Sequence, residues 1–187
     1  MTIAIIVVVV LLVLVVGWAV ATYNGLVRLR NLVQEAWRQI DVELTRRHDL
    51  IGNLVETVKG YAAHERGTLE DVVKARSAAM APGQSPAAQA ESENVLSQAL
   101  GRLLAIVEAY PDLKANAQFH DLSVQLEGTE NRILRSREQY NEAVRDYNTE
   151  LGKIRGAVVK RATGGTFKPR VYFQASSDAQ QAPKVTF

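Results

Sequence analysis

The sequence contains no cysteine, which excludes disulfides, thiol nucleophiles and thiolate metal sites. Histidine is almost as scarce: His48, His64 and His120 are the only three in 187 residues. His64-Glu65 opens like a zinc-protease HExxH pair, but the second histidine of that motif would fall at position 68, which is Thr68. No Glu stands three residues before any histidine, so the Glu-x-x-His pairs of a di-iron helical bundle are missing too. Neither a Gly-x-x-x-x-Gly-Lys phosphate loop nor a Gly-x-Ser-x-Gly nucleophile elbow occurs. The net charge is only +2, and no basic stripe is interleaved with aromatics, which argues against nucleic acid as a partner. Read together, these gaps predict no enzyme, no cofactor and no metal.

Charge is also missing locally. From Ile3 to Ala21 the chain has no ionisable side chain and is dominated by Val, Ile and Leu. That length is close to the ~20 residues a helix needs to cross a ~30 Å hydrocarbon core. Lipid offers the backbone no hydrogen bonds, so such a run is helical in spite of its β-branched residues. Trp18 and Tyr23 fall at its C-terminal end, where amphipathic rings favour the membrane–water interface. Ala19-Val20-Ala21 has the small-x-small look of a signal-peptide cleavage site. Against cleavage, no Lys or Arg precedes the run, and the run exceeds the usual ~7–15-residue h-region. The expectation is an uncleaved single-pass anchor in the cell membrane. Arg28, Arg30 and Arg38 follow it closely, which by the positive-inside rule puts the rest of the chain in the cytoplasm.

Beyond the anchor the apolar residues recur every three or four positions. Leu26, Val33, Ile40, Leu44, Ile51, Leu54, Val58, Leu69 and Val72 mark one helical stripe. Gly52, Gly60 and Gly67 interrupt it and are the candidate bending points. Ser85-Pro86 opens a second helix as N-cap and first residue, and Tyr110-Pro111 closes it. Asn116 is a candidate N-cap for a third helix with Phe119, Leu122, Leu126, Ile133, Tyr140, Val144, Tyr147 and Leu151 on its stripe. The predicted fold is all-α: an N-terminal transmembrane helix followed by an elongated antiparallel helical bundle of three helices, or four if the first breaks at Gly52 or Gly60. Arg47 and Glu65 interrupt any continuous heptad line, which favours a bundle over one long coiled coil. The expected organisation is an anchor over 1–22, a bundle over 23–155 and an irregular tail over 156–187.

Two polar concentrations stand out. One runs from Asp41 to Asp49, and the other includes Glu127, Glu130, Arg132, Arg137, Asn141 and Asn148. Tyr140-Asn141 and Tyr147-Asn148 repeat at seven residues, which puts both pairs on nearly one helix face. Solvated helix faces are the plain explanation. The sharper one is an interhelical polar network, with Arg47, Glu65, Glu130 and Arg137 as candidates because they lie on or beside the apolar stripes. In the tail, Phe167, Val171, Tyr172 and Phe173 carry more apolar mass than a solvated linker, so this segment is expected to pack along the bundle. Competing possibilities are disorder and attraction to anionic lipid. Lys153, Arg155, Lys160, Arg161, Lys168 and Arg170 form a stretch with no acid before Asp178.

Several segments read in order resemble the LemA family. They include Tyr23-Asn24-Gly25-Leu26-Val27, Ala36-Trp37, Ile40-Asp41-Val42, Arg46-Arg47-His48-Asp49-Leu50-Ile51 and Asn53-Leu54-Val55-Glu56-Thr57-Val58-Lys59-Gly60-Tyr61. Glu108-Ala109-Tyr110-Pro111-Asp112-Leu113-Lys114-Ala115-Asn116, Glu127-Gly128-Thr129-Glu130-Asn131-Arg132-Ile133 and the closing Ala182-Pro183-Lys184-Val185-Thr186-Phe187 continue the likeness. Gly52 departs from it, standing where the family often has proline. The resemblance implies a bacterial membrane protein with a helical bundle and no established enzymatic activity, one branch of which participates in magnetosome membrane formation. The functional expectation is a membrane-anchored, non-enzymatic scaffold or adaptor of the bacterial envelope. Its expected partners are the lipid bilayer, unidentified envelope proteins and, in a homo-oligomer, further copies of itself. The alternative is a regulatory subunit of a membrane protease or transporter.

Overall fold

A computed structural model describes residues 1–62 and 64–173, and the tail residues Val185 and Phe187 lie outside them. Among the described residues every regular element is helical: α1 (Thr2–Lys59), α2 (Arg66–Ala79), α3 (Pro86–Val107), α4 (Pro111–Lys114), α5 (Ala117–Gly152) and α6 (Ile154–Ala162). The chain divides into two compact units. The first is Met1–Arg38 with Gln139–Val171; the second is Gln39–Glu138 with Tyr172 and Phe173. Helices α1 and α5 each contribute to both.

The apolar run at the N-terminal end of α1 is not buried by the rest of the described residues. Ile3, Val9 and Leu14 are each more than half exposed, and among the described residues one helix is long and apolar enough to cross a membrane. Burial begins at Leu26, which is fully enclosed, without any break in the helix. In the first unit Leu26 and Val33 of α1, Tyr140, Val144, Tyr147 and Leu151 of α5, Val159 of α6 and Phe167 after it are buried apolar side chains.

In the second unit four helices share a core. Ile51, Leu54 and Val58 of α1, Leu69 and Val72 of α2, Leu96 and Leu103 of α3 and Leu122 and Leu126 of α5 belong to one buried cluster. Each such side chain contributes about 1.5–3 kcal/mol on burial. Helices α2 and α3 run antiparallel, with Asp71 paired to Arg102 and the Ala79 carbonyl bonded to Gln89. Helices α1 and α5 do the same, with Glu43 paired to Arg132 and Arg47 to Glu130. The first stripe breaks at Gly60, not Gly52. Gly52 is carried through because Ile51, Leu54 and Val55 beside it are packed. After Gly60, Tyr61 and His64 are exposed, so little packing opposes the turn closed by Ala62 N–H donating to the Val58 carbonyl at 2.8 Å.

Local chemistry sets the other ends. Ser85 Oγ accepts from Ala88 N–H at 3.2 Å with Pro86 as the first helical residue, and Asn116 Oδ1 accepts from Phe119 N–H at 2.9 Å at the start of α5. The stretch expected to be irregular from residue 156 is helical as far as Ala162. Lys153 is extended, with φ −64° and ψ 155°, which ends the α5 direction and starts α6. Glu150 anchors the junction by accepting from Lys153 Nζ at 2.8 Å and from Arg155 Nε. These two donors, Arg155 foremost, hold the Glu150 carboxyl below its ordinary pKa. Gly164 and Gly165, with φ of 63° and 79°, then turn the chain in the left-handed region that glycine tolerates.

The segment after α6 is packed. Phe167 is fully buried, edge-on to Tyr23 with ring centroids 5.5 Å apart and beneath the Arg30 guanidinium. Asn148 grips the backbone of Arg170 from both sides, donating to its carbonyl at 2.8 Å and accepting from its N–H at 2.9 Å. Tyr140 donates to the Val171 carbonyl at 2.8 Å. In the second unit Phe173 is buried against Arg137, whose guanidinium lies 4.9 Å from the ring centre.

The glycines give a direct test of the α5–α6 junction. A Cβ on Gly156 would collide with backbone atoms of Glu150 and Leu151, whereas one on Gly101 in α3 meets open space. Gly156→Ala is therefore expected to lower the melting temperature by several degrees. Gly101→Ala should raise stability by about 0.4–1 kcal/mol through the unfolded chain. Paired thermal melts of the full chain in detergent check both signs.

Candidate functional site

Three of the polar side chains that the second unit encloses, Arg47, His48 and Glu93, meet at one level of the bundle. Arg47 and His48 are successive residues of α1, and each is only 4% exposed. Glu93 of α3 is 5% exposed and occupies the same helical line as Leu96, Leu100, Leu103 and Val107. A lone carboxylate there would be too costly to keep ionised. Glu93 instead accepts from three donors: Arg47 Nη1 at 2.7 Å, His48 Nε2 at 2.8 Å and Gln89 Nε2 at 3.0 Å. The bond to His48 requires the tautomer, or the cation, that carries a proton on Nε2.

Arg47 extends the layer to a third helix. Its Nη2 donates to Ser97 Oγ at 2.7 Å and lies 3.3 Å from Glu130 Oε2 of α5. Helix α2 joins through Arg76, whose Nε donates to the His48 carbonyl at 2.6 Å. One layer thus ties together all four long helices of the unit. Outward from it, between α3 and α5, lies a groove of about 430 Å³ with Leu100, Leu104 and Leu126 on its walls and Glu127 and Glu130 at its edge.

The four residues singled out from the sequence fall in three places. Arg47 and Glu130 meet in the layer. Arg137 lies against Phe173, and its pKa is lowered by burial and, to a smaller extent, by Arg47, with Glu130 opposing. Glu65 sits in the turn before α2, where its carboxylate accepts from Tyr110 Oη at 3.1 Å, and that bond is the main reason the Tyr110 pKa is raised. Glu65 is therefore outside the layer. Sequence reasoning does not pick out Glu93 and Gln89. The available signal is Glu93 falling three residues before Leu96 on an otherwise apolar line. Trp18 and Tyr23 are both partly exposed at the end of the apolar run, and Tyr23 carries Phe167.

Chemically, the layer is closed in on itself, although Arg47 Nε is buried without a hydrogen-bond partner among the described residues. The His48 and Glu93 side chains are bonded to each other and closed off from solvent, and the hydroxyl beside them, Ser97, is held by Arg47 and not by His48. Among the described residues no group of three His, Asp or Glu side chains is placed to hold a metal ion.

The sequence profile of the LemA family matches residues 36–187, and the chain belongs to that family. It is similar to magnetosome protein MamQ 2 of Paramagnetospirillum magneticum, 28% identical over 189 residues covering 88% of this chain and 68% of that protein. Magnetosome protein MamQ of Magnetospirillum gryphiswaldense is 26% identical with the same coverage. Protein LemA of Metamycoplasma hominis is 25% identical over 128 residues, 68% of this chain and 58% of the relative.

Removing one member of a buried, hydrogen-bonded charge pair costs about 3–5 kcal/mol, whereas an exposed pair is worth under about 1 kcal/mol. Glu93→Ala is therefore expected to destabilise the chain by about 3–5 kcal/mol, leaving Arg47 buried without its main partner. Glu65→Ala, at a half-buried turn, should cost no more than about 1.5 kcal/mol. Denaturant unfolding of the two variants, compared with the unsubstituted chain, checks the ranking.

Proposed function

We propose that this LemA-family chain is a membrane-anchored, non-enzymatic helical adaptor of the bacterial envelope, with its bundle on the cytoplasmic side. The observation that carries the reading is α1 itself: one uninterrupted helix holds an apolar stretch that nothing covers and then enters packed structure at Leu26. A helix of that kind ties the bundle to the bilayer without a linker. The absence of enzymatic chemistry in this reading rests on the Arg47–His48–Glu93 layer, whose charged side chains are bonded to one another and leave no reactive group facing solvent. The cytoplasmic side rests on Arg28, Arg30 and Arg38, which follow the span closely.

The lack of cysteine makes a clean test available. Ala87→Cys introduces a single exposed thiol at the start of α3. A membrane-impermeant maleimide is expected to label it only after the cells are permeabilised; labelling of intact cells would reverse the sidedness. A mature N-terminus at Thr22 would remove the anchor. For the adaptor role, mild detergent extraction of the tagged full chain should recover specific envelope proteins in fixed ratio. Recovery of a single membrane protease or transporter would make the chain its regulatory subunit, and recovery of the chain alone under every growth condition would contradict an adaptor.

A further inference from the structure

Helix α6 has two faces. Gly156 and Val159 are buried and Lys160 is half-buried, so one side rests on the protein. On the opposite side Ile154 is 86% exposed and Val158 50% exposed. Ile154, Val158 and Arg161 are spaced i, i+4 and i+7, which puts them in one line along the helix. An aliphatic pair left uncovered beside cations is the pattern of a helix that lies in a membrane interface.

Charge and position agree with this. The unit that contains α6 carries ten Lys and Arg against four Asp and Glu, a net charge of +6, while the remainder of the sequence carries twelve against sixteen. Glu150 engages Lys153 and Arg155, but Lys160, Arg161 and Lys168 form no ion pair among the described residues. The same unit holds the candidate membrane span. Phe167, five residues past the end of α6, packs on Tyr23, two residues past the apolar run. Five residues reach at most about 17 Å, and the turn in which Gly165 N–H donates to the Lys160 carbonyl shortens that further. The end of α6 is thus held near the point where α1 leaves the apolar layer.

We infer that α6 is an interfacial helix seated on the anionic leaflet of the bilayer that α1 crosses. Ile154 and Val158 enter the boundary between headgroups and acyl chains. The exposed Arg161 and Lys168 meet lipid phosphates, where anionic headgroups attract basic segments. Two aliphatic side chains are too small a patch for a stable protein interface, whereas partial insertion asks no more of them. The inference rests on α1 being a membrane anchor.

The full chain with Val158→Cys, labelled with a polarity-sensitive fluorophore, tests it in vesicles of phosphatidylcholine alone and of phosphatidylcholine with phosphatidylglycerol. Flotation of the vesicles reports the anchor separately. The expected result is flotation in both compositions, with blue-shifted emission and quenching by lipid-borne nitroxides only when phosphatidylglycerol is present. The combined substitution Arg161→Gln and Lys168→Gln should remove the shift without abolishing flotation. A water-like spectrum in both vesicles, with the chain still floating, would overturn the α6 assignment and leave the anchor standing. Equal burial in both vesicles would overturn the anionic-headgroup role. Loss of flotation itself would overturn the anchor and α6 together.

Discussion

A carboxylate carried into the middle of a helical bundle loses its water, and the effective penalty is several kcal/mol unless donors replace that water. Glu93 is in this position, and the arrangement of the second unit follows from meeting its needs. Arg47 and His48 have to sit side by side on α1 at the height of Glu93, and Gln89 one turn back on α3 supplies the third donor. Arg47 then has bonding capacity left over, which Ser97 and Glu130 use. Sliding α1 by one residue against α3 would leave the carboxylate unmatched. Apolar side chains of the same core, such as Leu54 and Leu96, have no comparable preference for one height. The polar layer therefore supplies positional specificity that the surrounding hydrophobic cluster lacks.

The same logic shapes the first unit, with weaker interactions. There the chain after α6 is held by backbone hydrogen bonds from Asn148 and Tyr140 and by the burial of Phe167. Asn148 satisfies both the N–H and the carbonyl of Arg170, much as a neighbouring strand would, which lets an irregular segment lie against a helix without stranding polar backbone groups. The Tyr-Asn pairs seven residues apart thus divide their work. Tyr140 and Tyr147 face inward and are buried, and burial raises the pKa of both, while Arg170 opposes it in each. Asn148 turns toward the tail.

Much of this fold is legible in the sequence because it depends on periodicity. The helical stripes from Leu26 onward, the Ser85-Pro86 start and the candidate Asn116 cap are local signals, and the helices follow them. The choice of Gly60 over Gly52 as the break is not legible. Both are glycines on one stripe, and the difference is made by packing of Ile51, Leu54 and Val55 that only the folded chain displays. Helix α6 escapes sequence reasoning for a related reason: nine residues with two buried positions carry too little period, and its start is set by the Glu150 clasp rather than by a cap. In the polar layer, Arg47 and Glu130 are visible as charges on apolar stripes. Glu93 is hidden among Ala, Gln and Ser neighbours, although its place on the line of Leu96 marks it. Glu65 carries the same sequence signal as Arg47, but the turn after Gly60 moves it to the far end of α2.

If the polar layer sets the register of the bundle, Arg47 and Glu93 must act as one unit. A double-mutant cycle in the full chain, using Arg47→Met, Glu93→Leu and the combination, measures their coupling. Each single substitution is expected to be strongly destabilising and the pair far less so than their sum, with a coupling energy of about 2 kcal/mol or more. Single effects that add to within about 0.5 kcal/mol would contradict this, since two independent, solvated charges behave in that way.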